Sequence, residues 1–263
     1  MGDVVLENLE GIIFDLDDTL YNKAEWLVPA LEHAARIMAL DEHRVWEAAT
    51  SYVHSKGVAD VNIFNHVLLS CGQSDSALNI RAFVAAANNY RPASGSLSLW
   101  PGADAALRQL GSRYRLAVMA DGLVEAQNAK IIGLRLASFC NVFILSDEID
   151  GIRSRRPDPR PYREALARMG TRASRTLFVG DNPVKDFIRA RQLGMVTVRV
   201  MTGEYANMDY PSREHSADYD ISSVARLPDL VKNGSVHPVK HVKNKDDDMD
   251  DPLNPLSRKQ PSA

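Results

Sequence analysis

The feature that most constrains this chain is the rhythm that sets in after residue 100. Short apolar runs, YRLAVMA at 114–120, NVFIL at 141–145, RTLFVG at 175–180 and MVTVRV at 195–200, alternate with helical stretches at 102–110, 123–132, 160–169 and 183–193. Strands joined through single helices by short connections form right-handed βαβ units. Such units build a parallel sheet with helices on both faces. One more run stands near the start of the chain, where Ile12, Ile13 and Phe14 lead into Asp15 with no helical period. The expected fold class is α/β, with a Rossmann-like, doubly wound parallel sheet of about five strands as its core.

Between the first strand and the second, the helical pattern takes over. Leu27, Leu31, Ala34 and Met38 form one apolar stripe, and Pro29 inside it marks an N-terminal turn or a kink. Further helices are expected at 43–56, 60–70 and 78–90. The chain divides accordingly into core 1–21, an all-helical cap domain at 22–95, and core again at 96–232. From 233 to 263 it is rich in Lys and Asp and broken by Pro, too polar to bury a core, and is expected to be a disordered polar tail.

Charge and composition exclude several classes. The chain has 31 basic and 34 acidic residues, a net charge of −3, which gives no global field for nucleic acid or an acidic membrane surface. Neither nucleic acid nor membrane is expected as a partner, and the oligomeric state is not legible. No apolar run approaches the roughly 18–20 residues of a spanning helix. The acidic N-terminal stretch does not read as a secretion signal. The two cysteines, Cys71 and Cys140, suit a reducing compartment, so a cytoplasmic location is expected. Neither a P-loop string nor G-x-G-x-x-G occurs, which argues against nucleotide kinases and dinucleotide enzymes. His237 and His241 stand four apart in the polar tail, on either side of Pro238, a poor setting for a metal.

The chemistry is concentrated where strands end. Asp15-Leu16-Asp17-Asp18-Thr19 closes the first strand, and residues two apart in extended chain share a side. Open parallel sheets bind ligands at the carboxyl ends of their strands. Two carboxylates there repel unless a cation lies between them or one keeps its proton. Taken alone, the pair also reads as a solvated acidic turn. Gly180-Asp181-Asn182-Pro183-Val184-Lys185-Asp186 closes another strand, where Asp181 or Asn182 could simply cap a helix with Pro183 in its first turn. Capping does not explain why both strands end in carboxylates. Oxygen donors of this kind suit magnesium, whereas zinc would want His or Cys. Arg153, Arg155 and Arg156 precede a helix start and could neutralise a phosphate or form a solvated charge cluster. Met119-Ala120-Asp121-Gly122 ends the second core strand, and the backbone N–H groups of the Asp121-Gly122 turn could hold a phosphate oxygen.

In this order and spacing, the four segments resemble the haloacid dehalogenase superfamily of phosphohydrolases. Asp15, Asp17 and Thr19 match its D-x-D-x-T motif, Arg156 stands at its Lys or Arg before Pro-Asp-Pro, and Asp181 and Asp186 match its G-D and later Asp. The resemblance covers about residues 9–205. It implies that Asp15 attacks phosphorus and becomes an aspartyl-phosphate, while Asp17, with a raised pKa, acts as acid and then base. Asp15, the backbone carbonyl of Asp17, and Asp181 would hold magnesium, with Asp186 orienting the metal shell. Arg156, Asp121 and Gly122 would bind phosphate. Two departures stand out. Ala120 occupies the place of the family's Ser or Thr hydroxyl, and Arg156 replaces the commoner Lys.

The expected activity is that of a magnesium-dependent phosphatase acting on a small phosphorylated metabolite, a sugar phosphate among the candidates. The alternatives are a phosphomutase of the same superfamily, or a weakly active or inactive binding protein that keeps the fold. Tyr21, Asn22, Glu25, Asn65, Arg81, Asn88 and Tyr90 are the cap's polar candidates for substrate contact.

Overall fold

The apolar runs form strands because each is buried on both sides. In the computed structural model, described over residues 8–57, 62–232 and 235–236, every residue of β1 (Gly11–Asp15) is buried. The chain then runs through α1 (Ala24–Ile37), α2 (Glu42–Lys56), α3 (Ile63–Ser70), α4 (Ala77–Asn88) and α5 (Ala103–Gly111) before β2 (Arg115–Ala120). After it come α6 (Val124–Gly133), β3 (Val142–Leu145), α7 (Ser146–Asp150), α8 (Arg160–Met169), β4 (Thr176–Gly180), α9 (Phe187–Gln192) and β5 (Val196–Val200). β6 (Tyr219–Ile221), α10 (Leu227–Leu230), β7 (Val231–Lys232) and β8 (Ser235–Val236) complete the described chain.

The main sheet has six strands, all parallel, in the order β3-β2-β1-β4-β5-β6. Its direction of growth reverses between β1 and β4, which makes a crevice at their carboxyl ends. The period of two sorts the core into two layers. Ile12 and Phe14 of β1 join Leu116, Val118, Leu177 and Val179 on one face, in a continuous apolar cluster that also takes in residues of α5, α6 and the helices of 24–88. Ile13 joins Ala117, Met119, Ile144 and Phe178 on the other, against Tyr162, Ala165 and Met169 of α8 and Phe187 and Ala190 of α9. Fully burying a Phe or Ile contributes about 1.5–3 kcal/mol relative to leaving it exposed. These layers are what hold the strand ends in register. Met119, Met169 and Met195 all lie in the second layer, as gap-filling side chains should.

The helices of the 24–88 stretch pack on one another, α1 against α2 and α4, and α3 against α2 and α4. α2 is capped by Asp41, whose carboxylate accepts from the N–H groups of His43 and Arg44, and α4 by Ser76, which accepts from Asn79 N–H. Pro29 lies within α1, so the helix continues through it and forgoes one i−4 hydrogen bond.

Three differences from the sequence reading have local causes. β6 adds a sixth strand: it is three residues long at the sheet edge, with one of them buried, so it carries no apolar run. The helix expected at 183–193 begins at Phe187, because Asn182 Oδ1 accepts from Val184 N–H and Asp186 Oδ2 accepts from Asn182 N–H, which holds that stretch as a turn. β7 and β8 pair antiparallel, so regular backbone reaches Val236, while the rest of the polar tail lies outside the described residues.

Candidate active site

The β1–β4 crevice collects the acids. Asp15 is the last residue of β1, and Asp181 follows the end of β4, whose neighbouring registers are Phe14 with Val179. Asp186 reaches back into the same space because residue 180 is glycine: a Cβ there would lie 2.5 Å from Asp186 Oδ2. Carboxylate oxygens of Asp15, Asp181 and Asp186 lie within 4.8 Å of one another, and all three residues are buried. Thr19 donates its hydroxyl to Asp181 at 3.1 Å.

One guanidinium joins two of these acids to a third, Asp121. Arg156 meets Asp15 at 2.5 Å, Asp186 at 2.9 Å and Asp121 at 2.9 Å, with its side chain 1% exposed. Arg155 turns away and makes two 2.7 Å contacts with Asp147, which settles which arginine enters the crevice. The planar fork of Arg is what lets one side chain serve three carboxylates.

The residues after β2 complete the wall. Asp121 accepts from Ser146 Oγ at 2.6 Å, from Arg156 Nε and backbone N–H, and from Lys185 Nζ at 3.1 Å. Its carboxyl group is therefore a partner for cations; a phosphate there would have to use the backbone N–H groups of the turn. Gly122 adopts φ +132°, and a Cβ on it would lie 2.5 Å from Gln127 Nε2. Ala120 ends β2 with no polar side chain to offer.

Asp17 stands apart from the acid cluster. Lys130 Nζ donates to both its oxygens, at 2.9 and 2.8 Å, and the Tyr21 hydroxyl donates to one of them at 2.7 Å. The ammonium lies 4.5 Å from the centre of the Trp26 ring of α1, a cation–π contact inside the protein.

The two groups of acids differ in protonation. Burial, together with the charges of Asp15 and Asp186, pushes Asp181 well above the carboxylate range. Burial raises Asp186 to about 6 even though Arg156 pulls it down. Burial would raise Asp17 as well, but Lys130 outweighs it and Asp17 ends below its ordinary value. The sequence reading wanted a raised Asp17, and the reversal comes from Lys130, a partner 113 residues away. Asp121 is likewise lowered, by Arg156 and Lys185 against the effect of burial.

The sequence reading named neither Lys130 nor Ser146 as site residues. Lys130 left a trace: it falls in a helical pattern beside Ala126 and Ala129, on the face that packs inward. Ser146 had no local signature. Among the cap's polar candidates, Tyr21 reaches Asp17, whereas Arg81 and Asn88 bond carbonyls of their own helix and Glu25 accepts from Ser98 N–H.

Three buried carboxylates, two of them with raised proton affinity, share one guanidinium that reaches only Asp15 and Asp186, so the site is short of positive charge. All-oxygen donors of this kind could hold a hard divalent cation.

Known proteins resemble this chain over most of its length. The profile of haloacid dehalogenase-like hydrolases matches residues 12–200. A glyceraldehyde 3-phosphate phosphatase from Methanocaldococcus jannaschii is 32% identical over 232 residues, covering 86% of this chain and 98% of the relative. A phosphoglycolate phosphatase from Neisseria gonorrhoeae is 26% identical, covering 92% and 98%. Among solved structures, the magnesium-bound HAD-hydrolase YfnB from Bacillus subtilis aligns with a TM-score of 0.60 at 18% identity, over 84% of this chain and 97% of that one, a likeness of fold. Among the described residues, no helix is long and apolar enough to cross a membrane. With acid-ended strands meeting at the switch point of a parallel sheet, and with these matches over most of its length, the chain belongs to the haloacid dehalogenase-like hydrolase family and is a phosphohydrolase.

Proposed function

We propose that this chain is a magnesium-dependent phosphatase that hydrolyses a small phosphorylated metabolite, a sugar phosphate among the candidates, through an aspartyl-phosphate on Asp15. The observation that carries the reading is the meeting of Asp15, Asp181, Asp186 and Arg156 in one buried crevice. Relatives named for glyceraldehyde 3-phosphate, phosphoserine and phosphoglycolate support a small phosphate monoester as substrate.

In this mechanism Asp15 attacks phosphorus and Arg156 holds the phosphoryl oxygens. The backbone N–H groups at Asp121 and Gly122 supply further donors. Asp17 protonates the leaving oxygen and then takes the proton of the water that hydrolyses the intermediate. Lys130 favours the ionised form of Asp17, which suits the second of these steps; for the first, Asp17 must take up a proton from solvent before it can pass one to the leaving oxygen. Asp15, the backbone carbonyl of Asp17, and Asp181 would hold magnesium, with Asp186 beside them. When bound, the ion offsets repulsion between the nucleophile and the phosphate.

The helices of 22–95 act in this reading as a cap that closes over the crevice and excludes water. Two contacts support it. Trp26 of α1 covers Lys130, and a Cβ on Gly57, at the end of α2, would meet the Glu204 carboxylate at 2.5 Å.

The test is phosphate release from a panel of phosphorylated metabolites, with and without magnesium, for the natural protein and Asp15→Asn. Magnesium-dependent release that Asp15→Asn lowers by more than about 1,000-fold is expected, because the nucleophile itself is removed. Isomer interconversion without phosphate release would instead mean a phosphomutase. No turnover, with Asp15→Asn changing nothing, would leave a binding protein.

A further inference from the structure

Three features of the crevice converge on Lys185. The first is a deficit: β2 ends in Ala120, so no hydroxyl stands there to meet a phosphoryl oxygen. The second is the commitment of Arg156, which is enclosed and already gives three of its five N–H donors to Asp15, Asp121 and Asp186. The third is the position of Lys185. Its Nζ lies 3.1 Å from Asp121 Oδ2, the same oxygen that accepts from Arg156 Nε, so the ammonium and the guanidinium share one anchor.

Lys185 differs from Arg156 in two ways that matter for an incoming anion. Its side chain is 29% exposed against 1%, so it is open to solvent where Arg156 is enclosed. An ammonium has three donors, and among the described residues one acceptor, Asp121, is bonded to it. Asp121 anchors the ammonium beside the guanidinium that touches Asp15, the residue that attacks phosphorus in the proposed mechanism. Resting on the phosphatase reading above, we infer that Lys185 is a second phosphoryl-binding cation that takes over the hydrogen bond missing at Ala120.

The rival role is purely structural: Lys185 as counter-ion to Asp121. Asp121 keeps Arg156 and Ser146 in either case, so Lys185→Gln retains most of that network. Inorganic phosphate, in the presence of magnesium, is the probe, read as product inhibition and as binding by calorimetry. Lys185→Gln is expected to weaken phosphate about 10–100-fold, the usual worth of a charge-assisted hydrogen bond. KM for the best ester found should rise in parallel. Lys185→Arg should recover most of the affinity. Ala120→Ser should gain more in the Lys185→Gln background than in the natural chain, since the two groups then serve the same oxygen. A lowered melting temperature with unchanged phosphate affinity would overturn the inference and leave the counter-ion role.

Amine labelling of the unaltered protein gives a second measurement that needs no variant. Phosphate with magnesium should protect Lys185 from acylation several-fold, and equal labelling with and without phosphate would overturn the inference. Failure of the natural protein to release phosphate from any ester would count against the phosphatase reading; normal turnover with an indifferent Lys185→Gln would count against Lys185 alone.

Discussion

Two groups of acids lie at the strand ends, and they are neutralised in opposite ways. Asp15 and Asp186 share Arg156 with Asp121, Asp181 accepts only the Thr19 hydroxyl among the described residues, and burial drives Asp181 and Asp186 toward their protonated forms. Asp17 has a cation to itself: both its oxygens bond Lys130, Tyr21 adds a third hydrogen bond, and the carboxyl stays ionised. The first region is built short of positive charge and the second is balanced. A site short of charge stores binding energy for a cation, at the expense of the fold when no cation is bound. A balanced ion pair contributes to the fold and costs it heavily when halved.

The sharpest way to break this contrast is to remove one charge from each side. Asp17→Asn leaves Lys130 buried with no carboxylate. It should lower stability by about 3 kcal/mol, or about 6–12 °C in melting temperature for a chain of this size. Asp181→Asn removes a charge that burial disfavours, so the metal-free protein should melt slightly higher, by about 1–2 kcal/mol of stability, although its turnover collapses. Melting both variants without divalent ions checks the pair, and a fall in both would erase the distinction.

A smaller effect separates the regions by pH. Asp186 rises from 3.8 to about 6 in the folded chain, and Asp181 is also raised. The folded state therefore holds these protons more tightly than the unfolded one. The contribution of Asp186 to stability is full at low pH and is lost as pH rises from 3.8 through about 6, and that of Asp181 is lost in the same direction. A divalent cation binds the ionised carboxylates and returns what was lost. Millimolar magnesium should raise the melting temperature by about 5 °C near pH 8 and by almost nothing near pH 5. An equal gain at both pH values would mean that the ion binds elsewhere.

The smallest expected effect concerns the wall between the two regions. Ala120→Ser restores a hydroxyl at the end of β2 and should raise kcat/KM a few-fold, since one hydrogen bond to the transferring group is worth about 1 kcal/mol when another donor already serves that oxygen. Steady-state kinetics on the best ester would show it. A loss in kcat/KM would mean that the added oxygen finds no phosphoryl group to meet.

Much of the scaffold was legible from residue order because the signals that specify it are short-ranged. Ile12-Ile13-Phe14, Leu177-Phe178-Val179 and Val196 to Val200 are apolar runs of strand length. Their burial on both faces follows from that alone once helices alternate with them. Asp15 and Asp181 could be set in the crevice because each ends such a strand, and a parallel sheet gathers its strand ends on one side. The short edge strand at Tyr219–Ile221 escaped, since three residues with one buried carry too little periodicity to stand out from a loop.

What the sequence by itself determined was therefore the doubly wound parallel sheet and the acids at its strand ends, because hydrophobic period and strand-end position are local properties; the strand order, with its reversal between the first and fourth strands, came from the structure. Only the tertiary structure decided which charges meet: Arg156 rather than Arg155 in the crevice, Lys130 on Asp17, Lys185 and Ser146 on Asp121. Long side chains reach several ångströms in many directions, and in a buried site each carboxylate's protonation is set by whichever cation arrives there. That choice depends on how distant segments cross, and no run of neighbouring residues encodes it.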